Sequence, residues 1–364
     1  MKRRQLLTIA TLLPFAKLSI ASEFADFMKA QEAGAQSLKT EFETYQAAYL
    51  KEFEYYKKDI AKEWDEARTS SPSTWVSYKD DKKSRTTLDY RANTVEVAIR
   101  TDDNPTPEKI KQQVEKAVTT PVTEAIKQDS ILNKLNQKPV SAGDILMAGI
   151  ALAKETVTEL IDKARMLIEQ DSKGGYVQVT VQLPEKAKTA RIRQFLPAIK
   201  KYSQEFNIDI PLVLAVIHTE SAFNPLAQSH IPAFGLMQIV PNSAGKDVQK
   251  LIYKRSQAPS SSMLFNPSTN IQHGCAYLHI LNHRYLKAIK NKKSREHCCI
   301  AAYNTGAGNV ARAFTGRTNV NTAAKIINRM TPDQVYLHLR SNLKYEEARN
   351  YLLKVHQHKA LYTV

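Results

Sequence analysis

From Phe24 to Ala67 the apolar residues Leu38, Phe42, Tyr45, Tyr49, Phe53, Tyr56, Ile60 and Trp64 recur at intervals of three and four. That repeat lays one face of a helix against a core, and it predicts one or two long amphipathic helices. After Ser70-Ser71-Pro72 the period changes. Thr74 to Lys79 and Thr94 to Arg100 read as strands of a hairpin or meander, the second alternating Val95, Val97 and Ile99 with Glu96, Ala98 and Arg100. Asn104-Pro105-Thr106-Pro107 opens a helix through Val118, and Ser141-Ala142-Gly143-Asp144 resembles a capping box before a helix running to about Ile168. Residues 121–139 give no clear period. Gly174-Gly175 stops that section, and Val177, Val179, Val181 and Leu183 form the clearest strand in the chain.

Pro184 to Lys188 reads as a border, because helical segments dominate beyond it. They run from Arg191 to Phe206 with an interruption at Pro197, from Pro211 to Thr219, Thr269 to Leu286, Ser294 to Tyr303, Val310 to Phe314, Thr322 to Met330 and Tyr345 to His356. The expected fold class is α+β: a smaller α+β N-terminal domain over 22–184, then a mostly α domain over 185–364.

The chemistry concentrates in the second domain. Glu220-Ser221 ends an apolar helix and is followed by Asn224-Pro225, Gly235-Leu236-Met237-Gln238-Ile239 and Ala302-Tyr303-Asn304-Thr305-Gly306-Ala307-Gly308. Cleaving a glycosidic bond requires a carboxylic acid that stays protonated near neutral pH. A glutamate between Leu212, Val213, Leu214, Val216, Ile217 and Phe223 meets that need by desolvation. Most glycosidases pair the acid with a second carboxylate. The nearest in sequence are Asp209, which reads as an N-cap before Pro211, and Asp247, beyond the Gly235 turn. A single acid suggests that a hydroxyl of the sugar replaces water as nucleophile, which would make the enzyme a lyase.

These motifs, with the late Glu347-Ala348-Arg349-Asn350-Tyr351, resemble the soluble-lytic-transglycosylase family, whose catalytic domain has a lysozyme-like fold. Gly245-Lys246-Asp247-Val248, Leu264-Phe265-Asn266-Pro267, Ala276-Tyr277-Leu278 and Met330-Thr331-Pro332 resemble a membrane-bound branch of it, over a stretch from about Thr189 to the C-terminus, with a weaker echo around Trp75-Val76-Ser77-Tyr78-Lys79. The resemblance implies peptidoglycan glycan strands as substrate, cut between N-acetylmuramic acid and N-acetylglucosamine to leave a 1,6-anhydro ring. Glu220 would be the acid and then the base. Ser221, Met237, Gln238, Tyr303, Asn304 and Tyr351 would bind the sugar, with no cofactor and no metal. A lysozyme-type hydrolase using Asp247 and a non-catalytic wall-binding scaffold stand as alternatives.

Other signals bear on location and partners. Met1-Lys2-Arg3-Arg4, an apolar stretch from Leu6 to Ile20 and Ser19-Ile20-Ala21 have the anatomy of a secretory signal peptide over residues 1–21. Arg3-Arg4 also permits the twin-arginine route. The stretch, broken by Pro14 and Lys17, is shorter than the roughly 20 residues a membrane span needs. An N-terminal lipid anchor requires a cysteine at the cleavage site, and the first cysteine is Cys275, so no lipid anchor is expected. The expected location is the periplasm, with outer-membrane association left open. Cys275, Cys298 and Cys299 are too few and too clustered for a disulfide framework and read as buried small side chains.

A formal charge of +16 implies an acidic partner, as the carboxylates and phosphates of the wall would be. Nucleic acid is not expected, because the lysines spread from Lys29 to Lys359 rather than gathering on one helix. The N-terminal domain is a candidate surface for envelope proteins. Gly306-Ala307-Gly308-Asn309-Val310-Ala311 matches a dinucleotide fingerprint as a string, but a helix rather than a strand is expected before it. Cys275, His279 and His283 share a helix face, yet the outer pair is about 12 Å apart along the axis, too far for one ion.

Overall fold

The computed structural model describes residues 47–48, 50–129, 145–149, 154–229 and 233–363, all within one compact unit that spans Gln46–Val364. The signal peptide over 1–21, the apolar stripe before residue 47 and the capping box at 141–144 lie outside the described residues. The described residues are α+β, mostly helical with one antiparallel sheet.

Five strands, β1 (Thr74–Lys79), β2 (Ser84–Asp89), β3 (Thr94–Arg100), β4 (Arg165–Asp171) and β5 (Gly174–Gln182), pair antiparallel in the order β1-β2-β3-β5-β4. The expected hairpin or meander is a meander whose middle strand the hydrophobic pattern does not reveal. In β2, Thr86 donates to Gln113 at 3.1 Å and Arg85 lies 4.6 Å from the Trp64 ring centroid, so polar groups are paired inside where aliphatic side chains would otherwise stand. The helix Pro107–Thr119, N-capped by Thr106, buries Ile110, Val114 and Val118. On the other side of the sheet, Trp64 follows the helix over 50–60 and donates its indole N–H to Lys82 O at 2.7 Å.

The helix expected to reach Ile168 is corrected. It ends at Asp162, and Arg165–Asp171 is the edge strand β4. Arg-Met-Leu-Ile-Glu-Gln is helix-compatible by propensity, but the tight return at Gly174 pairs it residue by residue with β5, and the hairpin decides the outcome.

The register gathers one end of the sheet. Thr74 pairs with Asp89, Asp89 with Thr94, and Thr94 with Gln182, after which Leu183-Pro184 leads into the helix Glu185–Phe206. This helix is continuous. Pro197, expected to interrupt it, lies on the exposed face, where one missing N–H donor leaves the rest of the helix intact. From it Arg191, 1% exposed, passes its guanidinium into the N-terminal sheet. It donates to Asn93 Oδ1 at 2.9 Å and to Tyr90 O at 3.4 Å, and lies 5.4 Å from the Tyr90 ring centroid. No carboxylate pairs with it among the described residues. Carbonyls and a ring hold this cation, and burial lowers its affinity for a proton.

The Arg191→Ala protein should unfold about 3 kcal/mol more readily in a denaturant titration, since it loses packing as well as the bonds to the β2–β3 turn. A change below about 0.5 kcal/mol would show that the cation does not join the two halves.

Candidate active site

The helix Ile210–Ser221 buries Leu212, Val213, Leu214, Ala215, Val216 and Ile217 without a polar stripe among them, so it can stand only inside a core. Asp209 begins it but does not cap it through its side chain, as the sequence suggested. Its carboxylate instead pairs with Lys359 at 3.0 Å, because Pro211 in the first turn removes one of the N–H groups that a cap would serve. At the other end Glu220 is followed by Ala222 (φ +50°) and Phe223 (φ +66°), both left-handed, a strain of about 1–2 kcal/mol per residue. This reversal aims Asn224 inward. Its Nδ2 donates to Pro72 O at 3.2 Å and Ser71 O at 3.4 Å, tying the segment before β1 to the floor beside the acid.

Glu220 opens onto a groove of about 710 Å³ lined by Gln238, Tyr303, Asn304, Glu347, Tyr351 and, from the sheet end, Pro72 and Arg91. Burial pushes its carboxyl from the ordinary range up to about 8, and the negative charge of Glu347 acts in the same direction, while the Tyr351 hydroxyl opposes both. The Tyr351 hydroxyl is itself buried, has no partner of full hydrogen-bond geometry, and faces that carboxyl as an available donor. Burial raises the pKa of Tyr303 and Tyr351 well above the ordinary phenol value, so both remain neutral donors.

Two residues expected to touch sugar do not reach the groove. Ser221 is fully buried, and its hydroxyl donates to Leu236 O at 2.8 Å and Ile217 O at 3.0 Å. It ties the acid helix to the Gly235 turn. Met237 is also fully buried, because its thioether fills the notch left by Gly274, where an added Cβ would lie 2.0 Å from the sulfur. Its contribution to the groove wall is a backbone carbonyl that accepts from the Tyr303 hydroxyl at 2.8 Å. Gln238, Tyr303, Asn304 and Tyr351 do line the groove with Glu220. Asn270 supports the turn from below, donating to Phe234 O at 2.7 Å and Leu264 O at 2.8 Å and accepting from Met237 N at 2.8 Å. Gly235 (φ +73°) has no room for a side chain against it.

The sequence reading missed Glu347, Asn350, Lys354 and Arg91. Glu347 and Asn350 share a motif with Tyr351, so that motif was the available signal; Arg91 had none. Asp247, offered as a second carboxylate, sits away from the groove and accepts from Tyr285 at 2.8 Å on the surface. His218 faces away as well, stacked 3.8 Å from His358. Gly306 is preceded by the helix Lys292–Thr305, as expected, and so is no dinucleotide turn. His279 bonds Phe206 O at 2.8 Å, and among the described residues no group of three His, Cys, Asp or Glu is placed to hold a metal ion. The three cysteines are free and buried.

The family model for the Transglycosylase SLT domain matches residues 197–327, which include the acid, the Gly235 turn and the Ala302-Tyr303-Asn304 motif. Membrane-bound lytic murein transglycosylase C of Sodalis glossinidius is 35% identical over 299 residues, covering 80% of this chain and 83% of that protein. The chain belongs to the lytic murein transglycosylases. The protein of the same name from Salmonella typhimurium is 32% identical over 337 residues, 88% of this chain and 92% of its own. These matches run well past the stretch from Thr189 onward in which the sequence motifs lie. The 70 kDa soluble lytic transglycosylase of Escherichia coli aligns over 48% of this chain and 27% of its own, at 25% identity and a TM-score of 0.36.

Replacing Ser221 by Ala should cost about 1–2 kcal/mol in thermal unfolding, because Leu236 O loses its buried donor. kcat should fall while KM stays within about twofold, as expected for a residue that positions the acid without touching substrate. A large rise in KM at unchanged stability would mean that Ser221 contacts sugar.

Proposed function

We propose that this chain is a peptidoglycan lytic transglycosylase that cleaves the β-1,4 bond between N-acetylmuramic acid and N-acetylglucosamine without water. The observation that carries the reading is a glutamic acid that opens onto a groove of about 710 Å³ and whose carboxyl burial pushes up to about 8. Protonated Glu220 gives its proton to the glycosidic oxygen as the bond to C1 breaks. The resulting carboxylate then takes the proton of the muramoyl 6-hydroxyl as that oxygen bonds to C1, closing the 1,6-anhydro ring and restoring the acid. No water enters the balance. Tyr351 is placed to donate to the carboxylate during the interval in which it is charged, and Tyr303, Asn304 and Gln238 line the wall against which the sugar is held.

The relatives' printed names, lytic murein transglycosylases, support this substrate class. On the same reading, 185–364 is a lysozyme-like catalytic domain and 22–184 an accessory domain that completes one wall of the groove and is open to envelope partners. Residues 1–21 direct the chain to the periplasm. The relatives are named membrane-bound; no helix among the described residues is long and apolar enough to cross a membrane.

Hydrolysis by a water held on Glu347, an exposed carboxylate in the groove that accepts from Asn304 Nδ2 at 3.4 Å, is the second reading. Product mass separates the two. Mass spectrometry of muropeptides released from purified sacculi should show products one water lighter than the hydrolytic ones, and Glu220→Gln should lower their release by at least about a thousandfold. Reducing-end products would make the enzyme a hydrolase, and unchanged release by the variant would remove Glu220 from the mechanism.

A further inference from the structure

The groove contains two cations that the transglycosylase reaction does not use. Arg91 stands on the β2–β3 turn and Lys354 on the C-terminal helix Glu346–Tyr362; both are exposed and both line the groove with Glu220. Neither is paired with a carboxylate among the described residues.

The turn that carries Arg91 is held unusually firmly for an exposed loop. The Asp89 carboxylate accepts from the N–H groups of Arg91 and Ala92, both at 2.8 Å. Asn93, left-handed at φ +57°, donates to Leu183 O at 2.9 Å and accepts from the buried Arg191 guanidinium. From this base the Arg91 guanidinium reaches across to the catalytic half and donates to Thr219 O, the residue before the acid, at 3.4 Å. One bond occupies one N–H of five, so the rest of the fork remains available to the groove. Across the junction, His358 is disfavoured from protonation chiefly by burial and then by the positive charges of Arg91 and Lys354, and it is the shared groove lining that brings the two cations to one substrate.

We propose that Arg91 and Lys354 form an anion subsite that takes a carboxylate of the peptide stem carried by the glycan strand. The inference rests on the peptidoglycan reading given above. A muramoyl residue seated for cleavage delivers its own stem to the groove wall, so this anion arrives with the substrate. The planar guanidinium fork matches a carboxylate in two parallel bonds, and Lys354 adds a point charge. The subsite makes the N-terminal sheet a specificity element: it would favour strands whose stems carry free carboxylates over strands stripped or amidated there.

The test compares wild type, Arg91→Gln/Lys354→Gln and Arg91→Lys on three substrates: native sacculi, sacculi whose stem carboxylates have been converted to amides, and sacculi freed of phosphate polymers by hydrofluoric acid. The double variant should lose at least about tenfold in kcat/KM on native and acid-treated sacculi, the scale of charge-assisted bonds, and differ from wild type by less than about twofold on amidated sacculi. Arg91→Lys, which keeps the charge but loses the two-bond fork, should fall between wild type and the double variant on native sacculi and match wild type on amidated sacculi, a pattern that a merely structural effect would not give. Equal losses on native and amidated sacculi would overturn the subsite, as would a loss that disappears after acid treatment, which would assign the site to phosphate. If wild type itself released nothing from native sacculi, the peptidoglycan reading would fail and take the subsite with it.

Discussion

Everything around Glu220 follows from enclosing one carboxyl on all sides but the groove. A carboxylate in water titrates near 4.5, and here burial, helped by the negative charge of Glu347, moves it to about 8. That requirement explains a helix whose residues 212–217 are all buried, which must then be covered by other elements. The C-terminal helix supplies Tyr351, the helix Lys292–Thr305 supplies Tyr303, and the Gly235 turn closes the remaining side through Gln238. Ser221 and Asn270, which touch no solvent, hold these pieces in register by bonding backbone groups that would otherwise be buried without partners.

That Glu220, Gln238, Tyr303, Asn304 and Tyr351 gather at one groove was legible in the sequence, because they stand in short motifs whose members are close along the chain. The same motifs also hold residues whose side chains are buried against backbone and core instead of lining the groove. Ser221 and Met237 stand among groove-lining residues, and nothing in a linear pattern distinguishes a hydroxyl turned toward a carbonyl from one turned toward a groove. Strands β3 and β5 were readable from period-two alternation and β1 as a short strand, whereas β2 was not, because its buried positions are polar: Thr86 bonds Gln113 on one face and Arg85 pairs with Glu96 on the other. β4 was misread for a related reason: pairing with β5 overrides local helix propensity, and pairing is a long-range fact.

The N-terminal sheet is more than a neighbour of the catalytic half. Its register brings the β2–β3 turn to the edge from which β5 leads into the helix Glu185–Phe206, and Arg191 returns from that helix to hold the turn. Burying a cation without a carboxylate is costly. The cost is offset by carbonyl bonds and a ring contact, and the result is a fixed loop beside Thr219 and Glu220. Asn224 makes the reciprocal connection to Ser71 and Pro72. The groove wall is thus shared between two parts of the chain, and residues far apart in sequence meet there.

The central claim is that Glu220 is protonated at neutral pH in the free protein. Carbon-13 NMR of side-chain-labelled glutamate, with Glu220→Gln used to assign the resonance, would measure this directly as pH is raised from acid to alkaline. The account predicts a carboxyl that keeps its proton through neutrality and titrates at about 8. A midpoint in the ordinary carboxylate range would contradict it, because Glu220 would then be charged when substrate arrives and could not act first as an acid.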